Sequence, residues 1–185
     1  LVSPADYLDM LGKTITRILR NPGRLAQSVA DSSFDAWTKF YKQDENSPNA
    51  IVSYYTKGSL VALGLDLVLR KLSDHQVTFD DVLRDLWRRH GMAGVPVQEH
   101  DIEHVCARLL RRHNVQEHFI DLLHGFCKHA IYSCDELQLG EWLRFVGVDY
   151  ALRKAGSMSD SGGSAGKNSE KRPDMGITTS GANYG

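Results

Sequence analysis

Apolar positions recur at helical spacing along most of this chain. Leu8, Leu11, Ile15 and Ile18 repeat every three or four residues, the period of one face of an α-helix. Ser3-Pro4 stands just before them, with Ser placed to cap and Pro to fill the first helical position. Asn21-Pro22-Gly23 predicts the end of that helix. Phe34, Trp37 and Tyr41 mark the next apolar face, and the polar run Lys42 to Asn49, which contains Pro48, predicts a loop. From about Tyr54 to Leu72 the sequence is apolar almost all round, the pattern of a helix buried on most sides. Thr78-Phe79-Asp80-Asp81 has capping-box spacing ahead of Val82, Leu83, Leu86 and Trp87, and Gly91 is placed as the C-cap of that helix. Ile102, Val105, Leu109 and Leu110 mark a further helix. Asn114 is read as the cap of another, which carries Phe119, Leu122, Leu123 and Phe126. Leu139, Trp142, Leu143 and Val146 form a short last helix closed by Gly147, and no strand pattern precedes Val148.

Residues 1–155 are therefore expected to be all-α. Composition changes after Ala155: Gly156 to Lys171 is rich in Gly and Ser and lacks aromatics, which predicts a flexible, disordered linker. Residues 172–185 are too short to fold alone. No internal repeat is present, which argues against a helical solenoid.

Bulk properties narrow the function. The 185 residues suffice for one domain with a real core, and 42% hydrophobic with 24% charged residues is the profile of a soluble globular protein. With 22 basic and 23 acidic side chains, the net charge of −1 lacks the basic excess of a nucleic-acid binder. The basic clusters Arg88-Arg89-His90 and Arg111-Arg112-His113 fall near predicted helix ends, where cations meet the negative end of the helix dipole. The longest apolar stretch, Ser59 to Leu69, is interrupted by Asp66 and falls short of the roughly 20 residues that cross a bilayer. Neither nucleic acid nor membrane is expected as a partner. The N-terminus lacks the charged leader and apolar core of a signal peptide. It begins with Leu rather than Met, so the sequence reads as an excised segment. Cys106, Cys127 and Cys134 show no CxxC spacing. The first two fall on apolar faces and are expected as buried thiols rather than disulfides.

The most informative stretch is Asp44-Glu45-Asn46-Ser47-Pro48-Asn49 followed by Ser53-Tyr54-Tyr55-Thr56-Lys57-Gly58. It sets two adjacent tyrosines after an acidic loop, at the entry of a buried helix. A tyrosine there can pack its ring inside and project its hydroxyl outward, where it can donate a hydrogen bond to a developing oxyanion. The commoner role for such residues is a partly buried packing aromatic, and the residues alone favour that role.

Wider motifs add to this. Ser33-Phe34-Asp35-Ala36-Trp37, the Asp44-Glu45-Asn46 loop, the Tyr54-Tyr55 stretch, Leu65-Asp66-Leu67 with Arg70, Leu83-Arg84-Asp85-Leu86-Trp87, Glu141-Trp142-Leu143 and Val146-Gly147-Val148-Asp149-Tyr150 together resemble the glycyl aminopeptidase family. These are gluzincin metallopeptidases with a thermolysin-like catalytic domain and a C-terminal PDZ domain. The resemblance covers about residues 3–153 and implies the helical C-terminal portion of that catalytic domain. The activity implied is release of N-terminal glycine, or alanine, from peptides by zinc-activated water. Tyr-Thr-Lys-Gly is similar to the Tyr-x-Lys-Gly element of the wider gluzincin aminopeptidases, which implies Tyr55 as the oxyanion stabiliser and Tyr54 as second choice. Asp44 or Glu45 is a candidate to attract the substrate's α-ammonium, although a solvated acidic loop that caps the next helix is the ordinary reading.

One departure is large. The family's HExxH and downstream Glu are not in this sequence, and Leu1-Val2-Ser3-Pro4-Ala5-Asp6-Tyr7-Leu8 resembles the segment just after that Glu. The resemblance thus implies zinc in the parent enzyme, ligands upstream of Leu1, no zinc bound to this piece, and no activity alone. Its partners would be the upstream part of the catalytic domain and a peptide substrate. Asp174-Met175-Gly176-Ile177 looks like the opening of the PDZ domain.

His100-Asp101-Ile102-Glu103-His104 has the HxxEH spacing of an inverted zincin motif. A third ligand is not evident, and His100 falls at a helix start, so chance is the favoured explanation. Gly-x-Ser-x-Gly is absent. Gly162-Gly163-Ser164-Ala165-Gly166 is linker rather than a phosphate cradle, because no strand precedes it. The competing class is a non-enzymatic helical interaction module, whose exposed apolar surface would seek a partner or a second copy.

Overall fold

The computed structural model describes residues 2–163. All regular structure among them is helical, with no strand. The later part of the expected linker, 164–171, and the whole of 172–185 lie outside the described residues. No described helix is long and apolar enough to cross a membrane. The described residues divide into two compact units, residues 2–57 with 150–163, and residues 58–149.

The first unit opens with α1 (Pro4–Leu19). Ser3 Oγ accepts the Asp6 amide at 3.2 Å and Pro4 follows the cap. Ile15 and Ile18 are buried, whereas Leu8 stays exposed. A 3-10 turn (Pro22–Leu25) leads to α2 (Val29–Phe34), capped by Ser28. Phe34, Trp37 and Tyr41 do not form one covered face. The α-helix ends at Phe34 and a π-helical turn (Ala36–Phe40) follows. The wider coil resets the register, and Phe34 and Trp37 are left 91% and 77% exposed. The predicted loop closes into a short helix, α3 (Ser47–Ala50), which accommodates Pro48 near its start, where a missing N–H costs nothing. At the other end of this unit Arg153 holds Asp160 (Nη2–Oδ1 3.0 Å), whose carboxylate also accepts the Gly156 and Gly162 amides at 2.9 Å each. Gly162 and Gly163 press on α1: a Cβ on Gly162 would meet Thr16 Oγ1 at 1.9 Å.

Helix α4 (Tyr54–Leu72) leaves only Tyr55, Ser59 and Lys71 exposed, as its all-round apolar pattern predicts. Its residues from Gly58 onward belong to the second unit. Asp66, the charge that interrupts the apolar stretch, accepts the Phe79 amide at 2.8 Å and Arg70 Nε at 2.7 Å. It thereby fastens the start of α5 (Phe79–Leu86) to α4. The Thr78/Asp81 capping box forms in both directions.

Gly91 is not a C-cap. A π-helical turn (Trp87–Gly91) carries the coil through it, and the left-handed residue comes at Gly94 (φ +65°). Glycine at 91 makes room for a ring instead, because a Cβ there would sit 2.2 Å from Trp87 Cε3. Asn114 also changes role. Rather than starting a helix, it ends α6 (Asp101–Arg112) at φ +58°. Asn114 N donates to Arg111 O and Val115 N to Leu110 O, each at 3.1 Å, a Schellman closure. Helix α7 (Glu117–Tyr132) then starts with no side-chain cap. Helix α8 (Leu139–Phe145) closes at Gly147 (φ +73°) as expected.

The core of this unit gathers Leu65 and Leu69 of α4, Val82 of α5, Val105, Cys106 and Leu110 of α6, and Ile120, Leu123 and Cys127 of α7. Cys106 and Cys127 are free and buried. Burial pushes the Cys127 thiol up to about 12, so it behaves as a small apolar side chain. The Trp142 ring lies so close to Gly64 that a Cβ there would meet Cζ3 at 2.4 Å.

Candidate active site

The first turn of α4 presents the tyrosine pair, and the preceding chain fixes where that turn begins. Val52 is fully buried. Its N–H donates to Gln27 Oε1 at 3.1 Å and its carbonyl accepts the Ser32 hydroxyl. A Cβ on Gly23 would lie 2.0 Å from Ile51 O, so only glycine lets the 3-10 turn approach this closely. Ser53 Oγ accepts the Thr56 amide at 3.2 Å and opens α4. Lys57 is 2% exposed, and its Nζ donates to the Arg24 carbonyl at 3.1 Å. A buried polar backbone group and a buried amine are thus satisfied together, which ties α4 to the turn.

The tyrosines sit in an aromatic cluster. Ring centroids are 4.2 Å apart for Tyr54–Tyr55, 5.3 Å for Phe40–Tyr54 and 6.1 Å for Phe40–Tyr55. Trp37 stacks on Tyr41 at 5.1 Å and Phe40 meets Tyr41 edge-on at 5.4 Å. Tyr55 keeps 60% of its surface exposed, while Tyr54 is half-buried. The Tyr41 hydroxyl lies 2.9 Å from that of Tyr55 and 3.3 Å from that of Tyr54. Hydrogen bonds to Tyr41 and then Tyr55, with burial, push Tyr54 well above the usual phenol range. Hydrogen bonds with Tyr41 and then Tyr54 bring Tyr55 below it. The outer phenol is therefore the more acidic of the pair and the better hydrogen-bond donor.

The acidic loop separates its two candidates. Asp44 is taken up by its own turn: Oδ1 accepts Ser47 Oγ at 2.8 Å and the Asn46 amide at 3.1 Å. The Ser47 hydroxyl holds its carboxyl below the ordinary range. Glu45 is exposed and makes no hydrogen bond or ion pair among the described residues.

Sequence reasoning missed Tyr41, read only as an apolar position, and the buried Lys57 with its support from Gln27 and Ser32. Tyr41 lies 13 and 14 residues before its partners, a separation that no periodicity marks.

The HxxEH residues occupy a different place, at the start of α6. His100 precedes the helix, its ring centroid 6.4 Å from that of His104. Its Nδ1 lies 3.3 Å from the Tyr132 hydroxyl, and His124 Nδ1 takes the Glu103 carboxylate. Among the described residues no three His, Cys, Asp or Glu side chains are arranged to hold a metal ion.

Comparison with known proteins gives a family and a similar solved structure. Residues 1–61, which include the tyrosine pair, match the M61 glycyl aminopeptidase family. A crystal structure of an aminopeptidase N family protein from Idiomarina loihiensis is similar to this chain with 37% identity and a TM-score of 0.77. That match covers 90% of this chain and 27% of the other. No curated protein matches. The described residues are all-helical, and the matches are to aminopeptidase proteins, of which this chain spans only part. The family's match falls on the first third of the chain, and the chain spans about a quarter of the length of the similar crystal structure.

Proposed function

We propose that this chain forms one wall of the substrate cleft in a zinc aminopeptidase of the thermolysin-like, gluzincin type, which releases N-terminal glycine or alanine from peptides. Tyr55 is the residue that stabilises the oxyanion, with Tyr54 the second candidate. The observation that carries this reading is an exposed, acidified phenol at the mouth of a buried helix, inside the stretch that matches the family. As the scissile carbonyl oxygen gains negative charge, a hydrogen bond from Tyr55 Oη strengthens, which is the condition for lowering a barrier rather than merely binding. The aromatic rings beneath hold the phenol in place. Glu45, with Asp44 behind it, attracts the substrate's α-ammonium.

Zinc would activate the attacking water and polarise the carbonyl. The described residues do not fit it as a ligand set, so the ion would be held elsewhere in a longer protein. This chain alone would then not hydrolyse peptides. Residues 172–185 would begin the PDZ domain of that protein.

The test is Tyr55→Phe in the full-length enzyme. A fall in kcat of about 10²–10³-fold, with KM little changed, is expected for loss of one oxyanion donor. An unchanged kcat removes Tyr55 from the mechanism. Chelator-sensitive hydrolysis by the pure 185-residue chain would overturn its assigned inactivity.

The exposure of Phe34 and Trp37 favours a second reading, a helical module that uses this aromatic surface to bind a protein partner or a second copy. Sedimentation of the chain as a monomer at high micromolar concentration would count against self-association.

A further inference from the structure

Three hydroxyls meet in the aromatic cluster. Tyr55 and Tyr41 are both exposed, at 60% and 51%, Tyr54 is half-buried, and the Tyr41 hydroxyl lies 2.9 Å from that of Tyr55 and 3.3 Å from that of Tyr54. Each phenol has a single proton to donate, so the order of donation decides whether Tyr55 still has its proton available. If Tyr55 donated to Tyr41, it would reach a substrate only as an acceptor. If Tyr41 donates to Tyr55, Tyr55 Oη is satisfied from behind and its own O–H points outward.

We propose that Tyr41 is a positioning residue: its hydroxyl, supplied by Tyr54, donates to Tyr55 Oη and turns the Tyr55 proton toward the substrate side. This role rests on the oxyanion reading of Tyr55. The ring contacts support it, because Tyr41 is stacked by Trp37 and braced edge-on by Phe40. Its hydroxyl is therefore held by packing that does not depend on the hydrogen bond itself. The acidities agree with the same order. Tyr54, the first donor, holds its proton most tightly, and Tyr55, the last acceptor, holds its own least. Tyr41 and Tyr54 are the titratable groups that act on Tyr55. A chain of hydrogen bonds that runs one way also polarises each successive O–H, so Tyr55 becomes a stronger donor than an isolated phenol.

Two measurements test this. The first is alkaline difference spectroscopy of the chain, with Tyr55 isolated by subtracting Tyr55→Phe. Tyr41→Phe keeps the ring and its packing, and should raise the pH at which Tyr55 ionises. Tyr54→Phe, which removes the proton supply to Tyr41, should give a smaller shift in the same direction and serves if Tyr41→Phe fails to fold. The second is the full-length enzyme, where Tyr41→Phe should lower kcat by about tenfold, as for a slightly misplaced catalytic group, with KM within about twofold. If Tyr55→Phe damages kcat while Tyr41→Phe changes neither the titration nor kcat, Tyr41 has no positioning role and the oxyanion reading stands. If Tyr55→Phe is silent while Tyr41→Phe still shifts the titration, the oxyanion reading fails and this role falls with it.

Discussion

Lys57 Nζ donates to the carbonyl oxygen of Arg24 at 3.1 Å from a side chain that is 2% exposed. The contact spans 33 residues and fixes the first turn of α4, the turn that presents Tyr54 and Tyr55. Removing the amine leaves a buried carbonyl short of a donor and a gap where the stem lay. Lys57→Ala should cost about 2–4 kcal/mol, the sum of an unsatisfied buried group and a partial cavity. Lys57→Met, which keeps the stem, should cost less. Urea unfolding of the chain reads both, and equal midpoints for the wild type and Lys57→Ala would show that the contact does not hold the turn.

The Gly64–Trp142 approach leaves no room for a side chain, since a Cβ would lie 2.4 Å from a ring that is only 6% exposed. Gly64→Ala improves helix propensity on paper, but here it must displace the indole. Overpacking of this kind costs about 1–3 kcal/mol. The expected result is a lower unfolding midpoint together with red-shifted tryptophan fluorescence. A rise in stability would mean that α8 moves away freely.

Asp85 is buried at the meeting point of three arginines. Arg89 Nε lies 2.8 Å away, Arg108 Nη2 is in direct contact, and Arg112 Nη1 is at 3.8 Å. Burial raises the carboxyl pKa, but hydrogen bonds from Arg108 and Arg89 outweigh it and the net shift is downward. A carboxylate depressed by folding stabilises the native state above its unfolded pKa of about 3.9. That stability is lost as the pH falls through the lower native value. The chain should therefore lose stability as the pH falls from about 4 to 2, and Asp85→Asn should show a shallower slope in that window. Parallel slopes for the two proteins would exclude Asp85 as a contributor.

Among the described residues Glu45 has no hydrogen-bond or ion-pair partner, whereas Asp44 is committed to its turn. In the full-length enzyme Glu45→Gln should raise KM by about 3–10-fold, the loss of roughly 1 kcal/mol of charge attraction at an exposed site, and leave kcat nearly unchanged. Asp44→Asn should act mainly on stability. An unchanged KM in Glu45→Gln would take the acidic loop out of substrate binding.

Much of the helical frame was readable from residues alone, because its causes are local. The Ser3-Pro4 start, the Thr78/Asp81 box and the Gly147 stop each depend on neighbours within one turn. The all-round apolar run of α4 follows from composition over a single segment. Local signals failed where two local outcomes were equally open. Asn114 can cap a helix start or adopt the left-handed turn that ends one, and α6 used it for the latter. Gly91 can end a helix or admit a ring, and Trp87 decided between them.

The tyrosine pair was legible as a candidate because its sequence context is distinctive and lies within one helical turn. Its partner Tyr41 was not, because apolar spacing places Tyr41 on a face without saying what covers it. The sequence thus determined where helices run and which turn carries the tyrosine pair, through capping and periodicity that act over three or four residues. Tertiary structure alone decided that Phe34 and Trp37 stay exposed, that Lys57 is buried, and that Tyr41 reaches Tyr55. Those outcomes depend on the path fixed by Gly23, Gln27 and Ser32 against residues 51 and 52, and close approach between segments so far apart along the chain has no local period to announce it.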